Sequence, residues 1–400
     1  MANKRNITYF IISQSVSLLG SMLVMYAIMW HITLTTKSGF MMTIYVLTTF
    51  LPALFISPFA GVWADRLNKK KVMITADLTI AIFTLLIAVL FLFNIRHLWI
   101  IFVISIIRTL GQAVHQPAVS SVYPVIVEKD YLLKVQGINQ GIQSASMIVI
   151  PLLAGLLLSI APIEYLFFID VVTAVIAVWM LVKLIKIPKK DNFEEDTKIA
   201  YFKEIKQGIQ YAYKKPLIYN IILFGLIFMM LVAAPSFLSY LQVARVFGDE
   251  PWRLSVLEVF FGGGMLLGSF VISIWKGFKN RLVTYFVSYI MIGIGTIGLG
   301  IPINYWLYIG FWFVVGFFIA LSSPLLATII QEKVEEEYLG RVFSVFGLIH
   351  MIAMPIGMLV FGPLSDTVDA SLLILISGIG MVAISMLVFL KRDFIKLGIK

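Results

Sequence analysis

The chain has 400 residues, 60% of them hydrophobic and only 13% charged, with a formal net charge of +10 and no cysteine. A soluble domain is nearer half apolar and a quarter charged, so too few polar side chains remain here to cover a water-facing surface, and the natural solvent is lipid. The absent cysteines exclude disulfides, thiolate metal sites and a cysteine nucleophile; the four histidines (His31, His97, His115, His350) are scattered, so neither a metal cluster nor a cofactor is expected. In a soluble protein the positive charge would suggest nucleic acid. Here the basic residues fall between apolar runs, where they read as topology signals, and no nucleic-acid partner is expected.

Residues Met1 to Ile7 lead straight into the first apolar run without a small-residue cleavage site, so a retained helix rather than a signal peptide is expected. A helix needs about 20 apolar residues to cross about 30 Å of hydrocarbon. Twelve segments qualify: 8–33, 39–64, 72–94, 98–122, 133–160, 163–186, 217–240, 253–275, 282–300, 303–328, 340–363 and 370–390. All must be helices, because lipid offers the backbone no hydrogen-bond partners. An even number of spans puts both termini on one side. With that side as the cytoplasm, it holds 26 of the 31 lysines and arginines, and the outside only Lys37, Arg96, Arg245 and Arg253. A missed or invented helix would scramble that asymmetry, so it supports both the count and cytoplasmic termini.

Span 1 carries a polar stripe, Gln14, Ser17 and Ser21. Between spans 2 and 3 runs Gly61-Val62-Trp63-Ala64-Asp65-Arg66-Leu67-Asn68-Lys69-Lys70-Lys71. Gly61 would let two helices approach closely, and Asp65 could accept hydrogen bonds from the exposed N-terminus of another helix, whose dipole favours an anion. Asn68 can adopt a left-handed turn, and Asp77, early in span 3, is expected to join the same charge network.

Arg108 lies about ten residues into span 4, or about 15 Å deep at about 1.5 Å per residue. A charge at that depth must face the protein interior or a wet cavity. Ser105, Arg108, Gln112 and His115 share one helical face, and span 5 adds Gln136, Asn139, Gln140 and Gln143, so these stripes are expected to line a cavity in the first half. His115 reads as a hydrogen-bonded cavity residue. Asp170 in span 6 and Glu258 in span 8 are the acids that could pair with Arg108 or carry protons, since low dielectric raises a carboxyl pKa towards neutrality.

The longest polar stretch, 187–216, divides the spans into bundles 1–186 and 217–400. Residues 189–198 are charged and expected to be mobile; Phe202, Ile205, Ile209 and Ala212 follow helical spacing, as in an amphipathic helix on the inner leaflet. A shift of 207 residues lays Pro117 on Pro324, Val127-Glu128 on Val334-Glu335, Tyr131-Leu132 on Tyr338-Leu339 and Val135 on Val342, the mark of duplicated six-helix bundles. The second half is greasier: Phe228, Met229, Met230, Phe237, Tyr240, Phe311, Trp312, Phe317 and Phe318 could form adaptable apolar pockets.

The frame Gly61, Asp65, Arg66, Lys69, Lys70, Lys71 resembles the loop signature of the major facilitator superfamily, departing at Asn68, where glycine is usual. Ile107-Arg108-Thr109-Leu110-Gly111 with His115-Gln116-Pro117-Ala118, Gln331-Glu332-Lys333, Tyr338 to Ser344, and Met354-Pro355-Ile356-Gly357 resemble its macrolide-efflux branch. The resemblance implies an all-α membrane protein, twelve transmembrane helices in two pseudo-symmetric six-helix bundles. It implies a monomeric plasma-membrane transporter, not an enzyme, that exports amphipathic drugs by proton antiport. Export of an endogenous metabolite, such as a siderophore or lipid-like compound, is the alternative. Asp65 would then close the cytoplasmic side against the helix starting near Leu339. Loop 8–9 keeps Gly268, Lys276, Lys279 and Arg281 without an aspartate, so this latch is expected on one side only. The helix-5 antiporter signature is reduced to Gly141, Pro151 and Gly155.

Overall fold

The computed structural model describes residues 4–188, 201–275, 277–391 and 395–396, without the side chains of residues 58, 62, 64–66, 129, 201–206 and 350. In chain order the helices are α1 (Lys4–Thr36), α2 (Gly39–Arg66), α3 (Lys69–Leu92), α4 (Leu98–Ile126), α5 (Lys129–Ile160), α6 (Ile163–Lys183), α7 (Tyr201–Lys214), α8 (Pro216–Gln242), α9 (Pro251–Trp275), α10 (Arg281–Leu299), α11 (Tyr305–Lys333), α12 (Glu336–Leu364) and α13 (Ala370–Phe389). Twelve of them, all but α7, are long and apolar enough to cross a bilayer, one for each predicted span. Several overrun the hydrocarbon: the 33 residues of α1 reach about 50 Å.

The internal repeat is carried by backbone as well as sequence. Helices α4 and α11 are both 29 residues long, and their ends are 207 residues apart at both termini. The turns that follow match: Val127 and Val334 close them with φ −112° and −103°, and Glu128 and Glu335 then precede α5 and α12 with φ −63° and −61°. Asn68 does not take the left-handed conformation open to it. It is extended (φ −66°, ψ 105°) and caps α3, its side chain accepting from Lys71 N–H at 3.1 Å, which satisfies one of the helix's orphan donors. Asn280 caps α10 in the same way.

The chain forms two compact units, one of Met1–Thr35, Ile44–Glu194 and Glu250–Ser255, the other of Thr36–Thr43, Glu195–Asp249 and Val256–Lys400. Within the first, α3 packs on α4 and α6. Glycine at 111 makes the α3–α4 contact close, since a Cβ there would lie 2.8 Å from Ile80 Cγ1. Phe10, Met73, Val122 and Leu181 form its apolar core near the α3 start, with Phe10 edge-on to Tyr123 at 5.2 Å. Within the second, α10 packs on α11 and α13, and α8 on α12 and α13. Phe224, Phe228, Tyr285, Phe286 and Tyr289 stack there as one aromatic cluster. Phe228, Phe237 and Trp312, read from sequence as pocket formers, are buried packing residues.

The charged stretch 189–198 lies outside the described residues. Helix α7 packs on α12. Gly208, Tyr211 and Ala212 are buried, while Ile209 is exposed. Glycine at 208 is needed, since a Cβ would lie 2.6 Å from the Arg341 carbonyl, and Tyr211 stacks on Tyr338 at 4.3 Å. Phe202 and Ile205 are outside the described side chains.

Candidate functional site

A polar cavity of about 90 Å³ lies within the first unit, walled by α1, α3, α4 and α5. Gln14, Ser17 and Ser21 come from α1, Asp77 from α3, Gln112 and His115 from α4, and Asn139 and Gln143 from α5. The α1 stripe thus meets the Gln112 and His115 part of the α4 stripe, whereas Ser105 is off the wall and Gln140 is exposed and off it too: Asn139 and Gln143, one turn apart, are the face that α5 presents. Asp77 lies on the α3 wall of this cavity. Eight residues into α3, it is buried, accepts from Ser17 at 3.1 Å, and has Oδ1 3.3 Å from His115 Nε2. Asp77 Oδ2, His115 Nε2 and both amide atoms of Gln14 are buried and have no hydrogen-bond partner among the described residues.

Arg108 does not line this cavity. Its guanidinium pairs with Asp170 of α6 at 2.5 Å and bonds to Thr84 of α3, whose hydroxyl also reaches Asp170 at 3.0 Å. All three residues are buried. Glycine at position 20 lets α1 close over them, since a Cβ there would overlap Thr173 and lie 2.8 Å from Asp170 Oδ1. The group is a closed triad tying α3, α4 and α6. Of the two acids offered to Arg108, it takes Asp170. Glu258, on α9, is half-buried and hydrogen-bonded to Tyr240 of α8.

Of the gate motif, the side chains of Asp65 and Arg66 lie outside the description. Nothing described comes within 4 Å of a Cβ at Gly61, so among the described residues no close approach is made there. Its counterpart Gly268 does make one: a Cβ there would overlap the Phe317 carbonyl of α11. Lys70 caps α6, donating to the Val182 and Ile185 carbonyls at 3.2 and 2.9 Å. Lys71 contributes its backbone N–H to the Asn68 cap. Lys69 belongs to the first turn of α3.

The second unit holds a clasp that sequence reasoning missed. Asp366, just past α12, accepts from Ser38 Oγ at 2.7 Å and from the Gly39 and Phe40 N–H groups at 2.8 and 3.1 Å, an anion seated on the N-terminus of α2. Arg245, on the π turn Val243–Phe247 that ends α8, reaches Asp366 at 3.2 Å and donates to the Lys37 and Ser365 carbonyls at 2.6 and 2.7 Å. Lys37 is left-handed (φ 47°), which turns its carbonyl to that use. Burial raises the Asp366 pKa, but the bonds from Ser38, Gly39 and Phe40 and the Arg245 charge outweigh it and hold the carboxyl below its ordinary range. The available signal was Arg245 itself, one of few basic residues on the sparsely charged side. A second cavity, about 780 Å³, lies between α9 and α11. It is lined mainly by apolar groups with Ser269, Ser273, Ser323 and Thr328, and at one end Arg281 pairs with Glu332 at 2.8 Å.

Twelve membrane-length helices, an internal six-plus-six repeat and a polar cavity among lipid-facing helices define a multi-pass membrane transporter. The Major Facilitator Superfamily model matches residues 6–358, and the chain belongs to that superfamily. It is 30% identical over 389 residues to macrolide efflux protein A of Streptococcus pyogenes, covering 97% of this chain and 96% of that one. It is 32% identical over 311 residues to macrolide efflux protein A of Enterococcus faecalis, covering 77% of this chain and 96% of the other. A crystallised POT family transporter in complex with 5-aminolevulinic acid has the same fold, with a TM-score of 0.73 at 11% identity over 98% of this chain and 96% of that one.

Proposed function

We propose that this protein exports amphipathic, macrolide-like drugs across the plasma membrane in exchange for protons, and so confers resistance. The observation that carries this reading is the end-to-end likeness to the macrolide efflux proteins. The two cavities are compatible with it. Ligand pockets run to about 300–1,000 Å³, so the 780 Å³ space in the second unit suits an amphipathic drug, its serines and threonines offering hydrogen bonds on an apolar wall. The exporter works as a monomer with both termini in the cytoplasm, by alternating access of halves 1–186 and 217–400. Asp65 and its basic cluster close the inner side. The clasp of Asp366 and Arg245 on the start of α2 closes the outer side and parts when that side opens.

The test is drug susceptibility of a pump-deficient strain expressing the protein. Expression raises the inhibitory concentration of macrolides, and Asp65→Asn abolishes the rise. A panel of macrolides and other amphipathic drugs with no rise would sink drug export and favour an endogenous metabolite. Drug movement in liposomes that ignores a pH gradient would sink proton antiport alone.

A further inference from the structure

We infer that Asp77 and His115 form the proton-carrying couple of this exporter, a role that rests on the proton-antiport reading above. Three observations lead to it. The first is volume. The first-unit cavity, about 90 Å³, has room for several waters but falls well short of the few hundred Å³ that a drug-sized ligand occupies. It is a place for water and protons. The second is chemistry. Imidazole can bind and release a proton at a ring nitrogen, and a carboxylate beside it can pair with the protonated ring. His115 Nε2 and Asp77 Oδ1 are 3.3 Å apart, close enough for an ion pair yet not aligned as a hydrogen bond. The third is incompleteness. Asp77 Oδ2, His115 Nε2 and the Gln14 amide are buried polar atoms without hydrogen-bond partners among the described residues. Such atoms are costly unless water or a proton completes them.

The other ionisable candidates are less suited. Asp170 is held by Arg108 and Thr84, is almost wholly buried and lines neither cavity. Glu258 is bonded to Tyr240 and also lines neither cavity. The ionisable groups facing the couple are each other and the Tyr123 phenol on the same wall; α1 contributes Gln14, Ser17 and Ser21, and α5 Asn139 and Gln143, none of them charged. In the transport step a proton from water bonds to His115 Nε2, giving an imidazolium paired with the Asp77 carboxylate. It returns to water on the opposite side when that N–H bond breaks, and no electrons change hands.

The experiment uses purified full-length protein in liposomes with a macrolide substrate. Asp77→Asn and His115→Gln are expected to lose accumulation driven by a pH gradient. Drug-for-drug exchange, which moves no net proton, should fall much less than gradient-driven accumulation. Drug addition to detergent-solubilised protein should release protons from the wild type and not from Asp77→Asn. Gradient-driven accumulation surviving in both variants would overturn the assignment, as would loss of drug-for-drug exchange together with gradient-driven accumulation while the melting temperature is unchanged. A variant with a lowered melting temperature is replaced by Asp77→Glu, expected to restore gradient-driven accumulation; a stable Asp77→Glu without it would also overturn the assignment. If the wild type itself ignores the gradient, the antiport reading has failed, and this inference falls with it.

Discussion

Ser255 donates its hydroxyl to the Pro151 carbonyl at 2.7 Å, over Gly155, where a Cβ would lie 2.6 Å from the Ser255 oxygen. The 207-residue shift carries Pro151 onto Met358 and Gly155 onto Gly362. Thr43 duly donates to the Met358 carbonyl at 3.2 Å, and a Cβ on Gly362 would overlap its hydroxyl oxygen. The first contact lies inside one unit and the second inside the other. Both pack the opening turns of a helix, α9 or α2, against a glycine.

These twin contacts set the first prediction. Gly155→Val and Gly362→Val put atoms where backbone and hydroxyl already touch, so each should abolish export. Ser255→Ala and Thr43→Val each remove one hydroxyl donor, whose bonding is worth about 1 kcal/mol, and should slow export only a few-fold. A reporter at Met42→Cys, buried in the wild type, reads loosening of the start of α2 by thiol labelling. With no native cysteine the label has no competitor. Labelling should rise in Gly362→Val.

The clasp at Asp366 carries a pH prediction with a definite sign. Its pKa is depressed below the ordinary 3.8, so the clasp's contribution is complete above that value and is lost as pH falls through the depressed one. Acidification from pH 7.5 to 5 should therefore leave Met42→Cys labelling unchanged through this group, whereas Asp366→Asn should raise it at every pH. Arg245→Gln should act in the same direction, since it frees both the carboxylate and the Lys37 carbonyl.

Arg108 and Asp170 predict a stability effect. Their side chains are 8% and 2% exposed, so Asp170→Asn strands a buried guanidinium at a cost of about 3–5 kcal/mol. The melting temperature in detergent should fall clearly. The double change Arg108→Met with Asp170→Leu removes both charges and should recover most of the loss. If that double variant still couples drug movement to a pH gradient, the pair is structural.

Helix α7 is tied to α12 by a stack and a fit. Tyr211→Ala removes the Tyr338 partner, worth about 0.5–1.5 kcal/mol beyond area burial, and Gly208→Leu collides with the Arg341 backbone. Both should release α7 and speed proteolysis within the linker 187–216, Gly208→Leu more strongly. Ile209→Ser, on the exposed face, should leave the cleavage rate in detergent unchanged.

The sequence by itself determined the number of helices, the repeat and the superfamily resemblance. A membrane imposes length and hydropathy on each span separately, and local turns such as Val127-Glu128 and Val334-Glu335 repeat because their backbone rules are local. It also marked the polar stripes on α1 and α4, because residues three and four apart must share a face. Only the tertiary structure decided the partners. Asp77 meets Ser17, 60 residues earlier, and His115 on another helix. Asp366 and the first turn of α2 are more than 300 residues apart. Gly61 and Gly268 occupy equivalent positions, but among the described residues only Gly268 meets a neighbouring backbone. Helical phase says which residues share a face; which helix that face meets, and at what distance, is set by packing over the whole bundle.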